Sequence, residues 1–296
     1  MSNNLNKAKK KSFLDEAVKF SLLSILLGLL VGAIVLMISG RSPIVVYGAM
    51  IEGIIGKPKY IAWTIIKATP YILTGLSIAF AFKTGLFNIG AEGQFIVGAL
   101  VATLVGVGVD LPAIIHIPLT ILCAAVAGGL WGSIAGFLKS KFGINEVIVC
   151  IMLNWIAFYF SNFMVSNSFI SVANSESSVA INDSASIGIS WMKGLVGPAT
   201  SVNWGIVISI ILVFVVWFIL NKTTLGFELK AVGHNKDAAE YAGIDVSKSM
   251  LKSMAIAGIL AGIAGAIQVM GVTHNITVLA AQEGYGFDGI AVALIA

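Results

Sequence analysis

Long apolar runs, each about as long as a membrane is thick, limit most strongly how this chain can fold. The hydrocarbon core of a bilayer takes ~20 helical residues to cross, and there every backbone polar group must find a partner within the protein. The chain is 58% hydrophobic and only 11% charged, too little charge for a water-soluble domain of 296 residues. The sequence therefore predicts an all-α, polytopic transmembrane bundle. The apolar runs cover residues 20–39, 61–82, 89–109, 117–138, 146–165, 202–220, 253–272 and 285–296.

These runs predict about seven or eight spans. The last run, 285–296, makes only ~18 Å of helix at ~1.5 Å per residue, which does not cross a core of ~30 Å. We therefore expect the sequence to be truncated within its C-terminal spans. The first run, 20–39, follows a basic stretch but is longer than a signal-peptide core, so it predicts an uncleaved first span.

The distribution of basic residues predicts the orientation. With residues 1–19 as a cytoplasmic basic tail, 13 basic residues fall in inner segments and 4 in outer ones, as the positive-inside rule requires. Residues 20–296 then form the transmembrane domain, with an external loop at 166–201 and a cytoplasmic segment at 221–252. The inner residues are Lys7, Lys9, Lys10, Lys11, Lys19, Lys83, Lys139, Lys141, Lys222, Lys230, Lys236, Lys248 and Lys252, and the outer ones are Arg41, Lys57, Lys59 and Lys193.

The sequence FNIGAEGQ at 87–94 places polar groups beside apolar runs. A charge such as that of Glu92 costs ~2.5–3.5 kcal/mol at the centre of a spanning helix, so it is expected to face the bundle interior or a watery path. The glycines of this stretch weaken a helix and favour a break in it. Two interpretations stay open from the residues alone. Asn88, Glu92 and Gln94 line a solute path, or Glu92 sits at a cytoplasmic helix start, where an acid suits the helix dipole.

A second polar side chain at membrane depth is Asn154, in the apolar run 146–165. An unpaired amide is costly in lipid, so Asn154 is expected to face the bundle interior or a solute. Small-residue ladders indicate close helix packing elsewhere, at Gly128, Gly132 and Gly136 and at Gly258 and Gly262.

The cytoplasmic segment contains GFELKAVGHNKDAAEYAGIDVS at 226–247. Asn235 is a plausible N-cap for a short helix at 236–242, and Gly243 a plausible stop. Three alanines, Ala238, Ala239 and Ala242, suggest a smooth face suited to docking into a groove of another protein. An ordinary solvated loop between spans is the alternative.

The sequence does not match the motifs of an ATP site, a metal site or a nucleic-acid surface. Before Lys248-Ser249, the two glycines of a phosphate-binding loop are replaced by Ala242 and Ser247, so no ATP site of this kind is expected. His234 has no Cys or His at metal-ligand spacing, and no basic stripe with exposed aromatics favours nucleic acid. We expect no catalytic residues, no metal and no cofactor.

Several of these motifs together carry a family resemblance. FNIGAEGQ resembles the signature of the permease subunits of bacterial ABC importers in the branched-chain amino acid, ribose and nucleoside group. AVGHN at 231–235, with the alanines that follow and AGI at 242–244, is similar to the cytoplasmic coupling motif of that group. Four further motifs resemble its purine-nucleoside branch, which depends on a BMP-type lipoprotein: KATP at 67–70, NEVI at 145–148, MLNW at 152–155 and GYGFDGIAVA at 284–293.

The resemblance implies a permease with no ATPase site of its own, in the bacterial cytoplasmic membrane. Its expected partners are a cytoplasmic ABC ATPase, a second and non-identical permease, an extracellular binding lipoprotein, membrane lipid and a nucleoside. It assigns the substrate path to Asn88, Glu92, Gln94 and Asn154. It assigns the ATPase contact to Gly233, His234, Asn235, Ala238, Ala239 and Gly243. Family members continue beyond GYGFDGIAVAL with further spans.

Other interpretations stay open. A permease of the same group for ribose-type sugars or branched-chain amino acids would carry similar motifs. A stand-alone ion-coupled carrier usually has carboxylates in several spans, whereas here Glu92, and at span ends Glu146 and Asp288, are the candidates. A membrane-embedded enzyme would need paired acids or histidine clusters, which the sequence does not offer.

The orientation is testable by thiol labelling. Single cysteines at Ser2 and Lys236 should resist an impermeant reagent in intact cells, and one at Ser177 should react, because the basic residues place the first two inside. Labelling of Lys236→Cys from outside would contradict the predicted topology.

Overall fold

The computed structural model describes residues 2–197 and 200–295, without the side chains of residues 2–18, 21, 193 and 195. Four of the five basic side chains of the predicted N-terminal tail, those of Lys7, Lys9, Lys10 and Lys11, thus lie outside the described part, whereas Lys19 is described and exposed. Pro198 and Ala199 of the predicted outer loop and Ala296 also lie outside it. Twelve α-helices follow one another in the described residues: α1 (Ser2–Ile38), α2 (Pro43–Ile55), α3 (Pro58–Phe82), α4 (Ala91–Gly108), α5 (Ala113–Phe142), α6 (Glu146–Asn167), α7 (Lys193–Val196), α8 (Gly205–Lys222), α9 (Thr224–His234), α10 (Lys236–Tyr241), α11 (Val246–Gln268) and α12 (Tyr285–Ile295).

The chain divides into two compact units, one up to Ile61 and one from Ala62 onward. In the first unit α1 is a single helix with no break at residue 19. The hydroxyl of Tyr47 on α2 donates to the carbonyl of Leu29 on α1, 2.6 Å away. Pro43 begins α2, a position where its missing N–H would have no intrahelical partner.

Six helices of the described chain are long and apolar enough to cross a membrane, rather than the seven or eight predicted. They are α3, α4, α5, α6, α8 and α11 with the turn that follows it. The predicted first span, residues 20–39, is not among the six because the side chain at position 21 is not described and the remaining apolar part of α1, Leu22–Ile38, has fewer than 18 residues. The polytopic helical bundle itself is confirmed, and no β-strand occurs in the described residues.

The bundle is built around α11, which packs against α5 and α4. Its glycines bring backbones into contact, as the sequence ladders predicted. A Cβ on Gly258 would collide with the carbonyl oxygen of Gly128, and a Cβ on Gly128 with that of Gly258. On the neighbouring side, a Cβ on Gly98 of α4 would meet the carbonyl of Gly262. At these glycine positions no side chain separates the helices, so their backbones approach closely.

The two ends of α11 carry different structures. The short helices α9 and α10 precede it, and α9 packs against both α8 and α11. At the other end, the loop after α6 pairs with the chain beyond α11 through an isolated antiparallel bridge between Ser177 and Thr277. The intervening loop also contains short 3-10 turns at Asp183–Ala185 and Ser190–Met192.

Replacing Gly258 by Ala should destabilise the bundle by about 1–3 kcal/mol, because the new methyl group has no space against Gly128. Gly53→Ala is the control, since Gly53 also lies in a helix but a Cβ there meets nothing within 4 Å. Thermal unfolding of both purified variants in detergent measures the difference. Equal stability of Gly258→Ala and wild type would contradict the backbone packing.

Candidate functional site

The helix break predicted around FNIGAEGQ is present, because α3 ends at Phe82 and α4 begins at Ala91. Asn88 and Gln94 pair in both directions: Asn88 Nδ2 donates to Gln94 Oε1 at 3.0 Å, and Gln94 Nε2 donates to Asn88 Oδ1 at 3.1 Å. Asn88 Nδ2 also donates to Ser77 Oγ, whose hydroxyl donates to the carbonyl of Ala257 at 2.7 Å. These buried groups tie α3, the break and α4 to α11.

Asn154 connects α6 to the start of α4. Its Oδ1 accepts from the N–H of Gly93 at 2.8 Å, and its Nδ2 donates to the carbonyl of Ile89 at 3.0 Å. The amide is buried, and a Cβ on Gly93 would lie only 2.8 Å from its oxygen. Asn154 therefore supplies partners to two backbone groups at the helix break.

A segment of irregular backbone, residues 274–284, turns back into the bundle after α11, and we call it the re-entrant segment. The helix ends in a π-turn, Val269–Thr273, and His274 adopts a left-handed conformation with φ of 59°. The segment then contacts α6 at Asn162. This residue lies roughly 24 Å along α6 from the first residue of that helix, Glu146, at ~1.5 Å per residue. It reaches the first turn of α4 at Glu92. Irregular backbone is tolerated at membrane depth where protein or a water-filled cavity surrounds it.

Side chains replace the missing helical hydrogen bonds of the re-entrant segment. At its outer part, the N–H of Ile276 donates to Ser178 Oγ at 3.1 Å, and the N–H of Ser178 donates to the carbonyl of Ile276 at 2.8 Å. Asn162 does the same for Leu279, since its Nδ2 donates to the Leu279 carbonyl at 2.9 Å and its Oδ1 accepts from the Leu279 N–H at 3.0 Å.

Glu92 holds the inner end of the re-entrant segment. One carboxylate oxygen accepts from the N–H of Gly284 at 2.8 Å, and the other from the N–H of Gly286 at 2.6 Å. The side chain is fully buried, and a Cβ on Gly286 would collide with the backbone N of Glu92. A carboxylate that accepts backbone N–H groups at the start of a helix is a favourable arrangement. Here it joins the beginnings of α4 and α12.

A cavity of ≈ 90 Å³ lies between α4, α6, the π-turn and the re-entrant segment. Its wall combines apolar side chains with amides, hydroxyls and one carboxylate, that of Glu283. Gln268 in this wall is buried, and its Nε2 donates to the hydroxyl of Tyr285 at 3.2 Å. The lining residues are Phe95, Ile96, Ala99, Ser161, Gln268, Val269, Thr273, Asn275, Ile276, Thr277, Leu279 and Glu283.

The four residues predicted to form the substrate path lie outside the described lining of this cavity. Asn88, Glu92, Gln94 and Asn154 are all buried and all hydrogen-bonded within the protein. They build the framework that positions α4 and the re-entrant segment. Their contact with a solute stays a prediction.

Sequence reasoning missed the polar lining itself, above all Glu283, Gln268 and Asn275. The polar dipeptide Gln282-Glu283, an amide followed by an acid between two apolar runs, was the available signal. The other acids considered for ion coupling lie elsewhere: Glu146 pairs with Lys139 at 2.8 Å, and Asp288 is exposed on α12. In the described residues no group of three or more His, Cys, Asp or Glu is arranged to hold a metal.

The cytoplasmic helix predicted after Asn235 is present as α10. Asn235 Oδ1 accepts from the N–H of Ala238 at 3.0 Å, and Gly243 has a left-handed φ of 84°, so both predicted caps are confirmed. Gly233 and His234 form the last residues of α9, directly before the Asn235 cap. Gly233 lies against the α3–α4 break, where a Cβ would collide with the carbonyl oxygen of Lys83.

The predicted single alanine face of α10 is wrong. Ala239 is buried and packs in a cluster with Leu86, Val232 and Met250, whereas Ala238 and Ala242 are exposed. Successive helical residues point ~100° apart, so Ala238 and Ala239 cannot share a face, while residues four apart do. The exposed side of α10 ends at Tyr241, whose side chain is 97% exposed.

Broken helices and irregular backbone around a polar cavity, as found here, recur in membrane transporters. Residues 60–296 match the family model described as the permease component of the branched-chain amino acid transport system, so the chain belongs to that family. It is a multi-pass protein of the bacterial membrane.

Three relatives are similar over most of the chain. A guanosine ABC transporter permease protein, NupP of Bacillus subtilis, is 45% identical and aligns with 93% of this chain and 78% of its own length. A nucleoside ABC transporter permease protein, NupB of Lactococcus lactis, is 39% identical over 93% and 76% of the two chains. A glucose ABC transporter permease protein, TsgB13 of Haloferax volcanii, is 32% identical over 92% and 73%. No solved structure matches the chain.

Replacing Asn154 by Leu should destabilise the protein by about 1–3 kcal/mol for each backbone group left without a partner, at Gly93 and Ile89. Asn167→Leu is the control on the same helix, because Asn167 is exposed and bonds only its own helix in the described structure. Thermal unfolding, measured beside solute uptake, distinguishes the two possible roles. Wild-type stability with reduced uptake would contradict a framework role and favour contact with the solute.

Proposed function

We propose that this chain is the permease subunit of an ATP-driven importer that carries nucleosides across the cytoplasmic membrane. The observation that carries the proposal is the 45% identity to a guanosine permease across 93% of the chain. A second nucleoside permease at 39% identity supports the same substrate class. The chain itself supplies the path, and a separate ATPase supplies the energy.

The path we propose runs through the cavity between α4, α6 and the re-entrant segment. Unwound backbone beside discontinuous helices is a recurrent way of building solute sites near the middle of a membrane. Asn88, Glu92, Gln94 and Asn154 serve this path by fixing the α4 start and the inner end of the re-entrant segment. In this role a loss of any of them changes transport by moving the cavity wall.

We place the N-terminus and residues 221–252 in the cytoplasm, following the basic residues. The cavity and the cytoplasmic segment then lie toward opposite ends of α11, roughly 33 Å apart between Val246 and Gln268 at ~1.5 Å per residue. An extracellular binding lipoprotein delivers the nucleoside to the end that carries the loop at 166–201. A second, non-identical permease completes the membrane core.

We place the ATPase contact at α9 and α10, with Gly233, His234, Asn235, Ala238, Ala239 and Gly243 as its predicted residues. Tyr241 joins them, because a fully exposed aromatic on a capped helix is the type of side chain that anchors an interface. Ala239 is buried, so its proposed role is to attach α10 to the bundle and not to touch the ATPase. Its packing against Leu86 and Val232 links α10 to the helix break at the base of α4, so movement of α10 reaches the path.

A sugar is the second candidate substrate. The permease named for glucose is 32% identical to this chain over 92% of its length. Both candidate solutes carry vicinal hydroxyl groups, so a polar cavity of this kind is compatible with either.

Reconstitution distinguishes the candidates. The permease is reconstituted in proteoliposomes with its ATPase, its second permease and its binding protein. These proteoliposomes should accumulate labelled guanosine when ATP is supplied. Labelled glucose should enter at the background rate. Uptake of glucose without guanosine would replace the nucleoside assignment, and uptake driven by an ion gradient without ATP would contradict the importer class.

Replacing Tyr241 by Ala should weaken ATPase association by about 2 kcal/mol or more, as loss of an aromatic anchor does. Ala238→Arg should act similarly by adding a charge to the exposed side of α10. Tyr159→Ala is the control, because Tyr159 is also an exposed tyrosine but lies on α6. Co-purification with the ATPase and ATP-driven uptake are the measurements. Retention of both in Tyr241→Ala and Ala238→Arg would place the ATPase contact elsewhere.

A further inference from the structure

We infer that Glu283, with Gln268 and Asn275, forms a subsite for the ribose of the transported nucleoside, in which the Glu283 carboxylate accepts from the 2′- and 3′-hydroxyl groups. The inference rests on the proposed nucleoside import and deepens it by naming the part of the solute that the cavity holds.

The position of Glu283 is the first argument. It belongs to the re-entrant segment, one residue before Gly284, whose N–H is held by Glu92 in the first turn of α4. The residue therefore lies within the bundle, yet its side chain is exposed and lines the cavity. An ionisable side chain at membrane depth is costly unless it faces water, an ion or a solute.

The chemistry of the lining is the second argument. An ionised carboxylate only accepts hydrogen bonds, so a solute group that pairs with Glu283 must donate. Its two oxygens suit two neighbouring donors. The amides of Gln268 and Asn275 both donate and accept, as do the hydroxyls of Ser161 and Thr273, and all of them line the same cavity. Such a set matches the hydroxyl groups of a sugar.

The size of the cavity selects one part of the nucleoside. At ≈ 90 Å³ it is smaller than the roughly 300–1,000 Å³ of pockets that enclose a whole drug-sized ligand. Among the described lining residues Phe95 is the one with an aromatic ring, and its side chain is 0% exposed. A nucleobase therefore finds no open ring face for stacking here, whereas a ribose requires none.

The backbone around the subsite is held without using the lining carboxylate. Glu92, Asn162 and Ser178 satisfy the backbone groups of the re-entrant segment that they contact. Glu283 makes no salt bridge in the described structure, although it feels the charge of Lys67. Nearby, the Nε2 atom of Gln282 is buried without a hydrogen-bond partner among the described residues.

The test measures sugar discrimination in the reconstituted importer. Wild type and variants are assembled with the same ATPase, second permease and binding protein, so that selection by the partners cancels in the comparison. Uptake of labelled guanosine, 2′,3′-dideoxyguanosine and inosine is measured for each. The ratio of the guanosine rate to the dideoxyguanosine rate, here called the ribose ratio, does not depend on how much transporter is present.

Glu283→Ala should lower guanosine uptake by about 10-fold or more, the effect of losing a hydrogen bond to a charged group, and change dideoxyguanosine uptake by less than about 2-fold. The ratio of the guanosine rate to the dideoxyguanosine rate should therefore fall by about 5-fold or more. Glu283→Gln, which keeps the size and one acceptor, should give an intermediate ratio. Glu176→Ala is the matched control, because Glu176 is an exposed acid in the outer loop that lies outside the described cavity lining.

Normal guanosine uptake and an unchanged ratio in both Glu283 variants would overturn the ribose subsite while leaving nucleoside import intact. A changed preference for guanosine over inosine at an unchanged ribose ratio would overturn it in favour of contact with the base. Absence of nucleoside uptake in the wild type would overturn the proposed function and this inference with it.

Discussion

The buried Glu92 carboxylate holds the structure of the candidate site together. In the bilayer, water does not satisfy the backbone of a segment that leaves its helix, so each exposed N–H and C=O needs a partner from the protein. Glu92 accepts from Gly284 and Gly286, and the side chains of Asn162 and Ser178 bond residues farther out on the re-entrant segment. The cavity has its present wall because these three side chains replace water for that backbone.

Several features could be predicted from the sequence because their causes are local. They are the helical bundle, the glycine packing, the break before α4 and the caps of α10. Apolar runs, Gly every four residues and Asn235 three residues before the N–H that it caps are all visible in short windows. The re-entrant segment has no such signal. Asn162 and Leu279 are 117 residues apart, and Glu92 and Gly284 are 192 apart. Only the assembled fold brings these partners together. The sequence therefore drew attention to Asn88, Glu92, Gln94 and Asn154 but not to the residues that line the cavity.

The same limit explains the misjudged face of α10. Ala238, Ala239 and Ala242 are alike in sequence, and composition does not tell which alanine points inward. Leu86, Val232 and Met250, contributed by separate elements, decide the matter by covering Ala239. As a result α10 is attached to the bundle on one side and presents Tyr241 on the other. Under the proposed ATPase contact, a helix held in this way would pass a displacement on to the bundle.

The glycine contacts within the bundle restrict how it moves. Packed helices usually shear past one another by small adjustments of side-chain rotamers, and a contact made of backbone atoms has no rotamers to adjust. At Gly128 with Gly258, and at Gly98 with Gly262, α11 meets its neighbours through such contacts. We therefore expect α4, α5 and α11 to move together as one body. If a passage beside these three helices opens and closes, we expect the moving parts to be helices and loops that contact them through side chains.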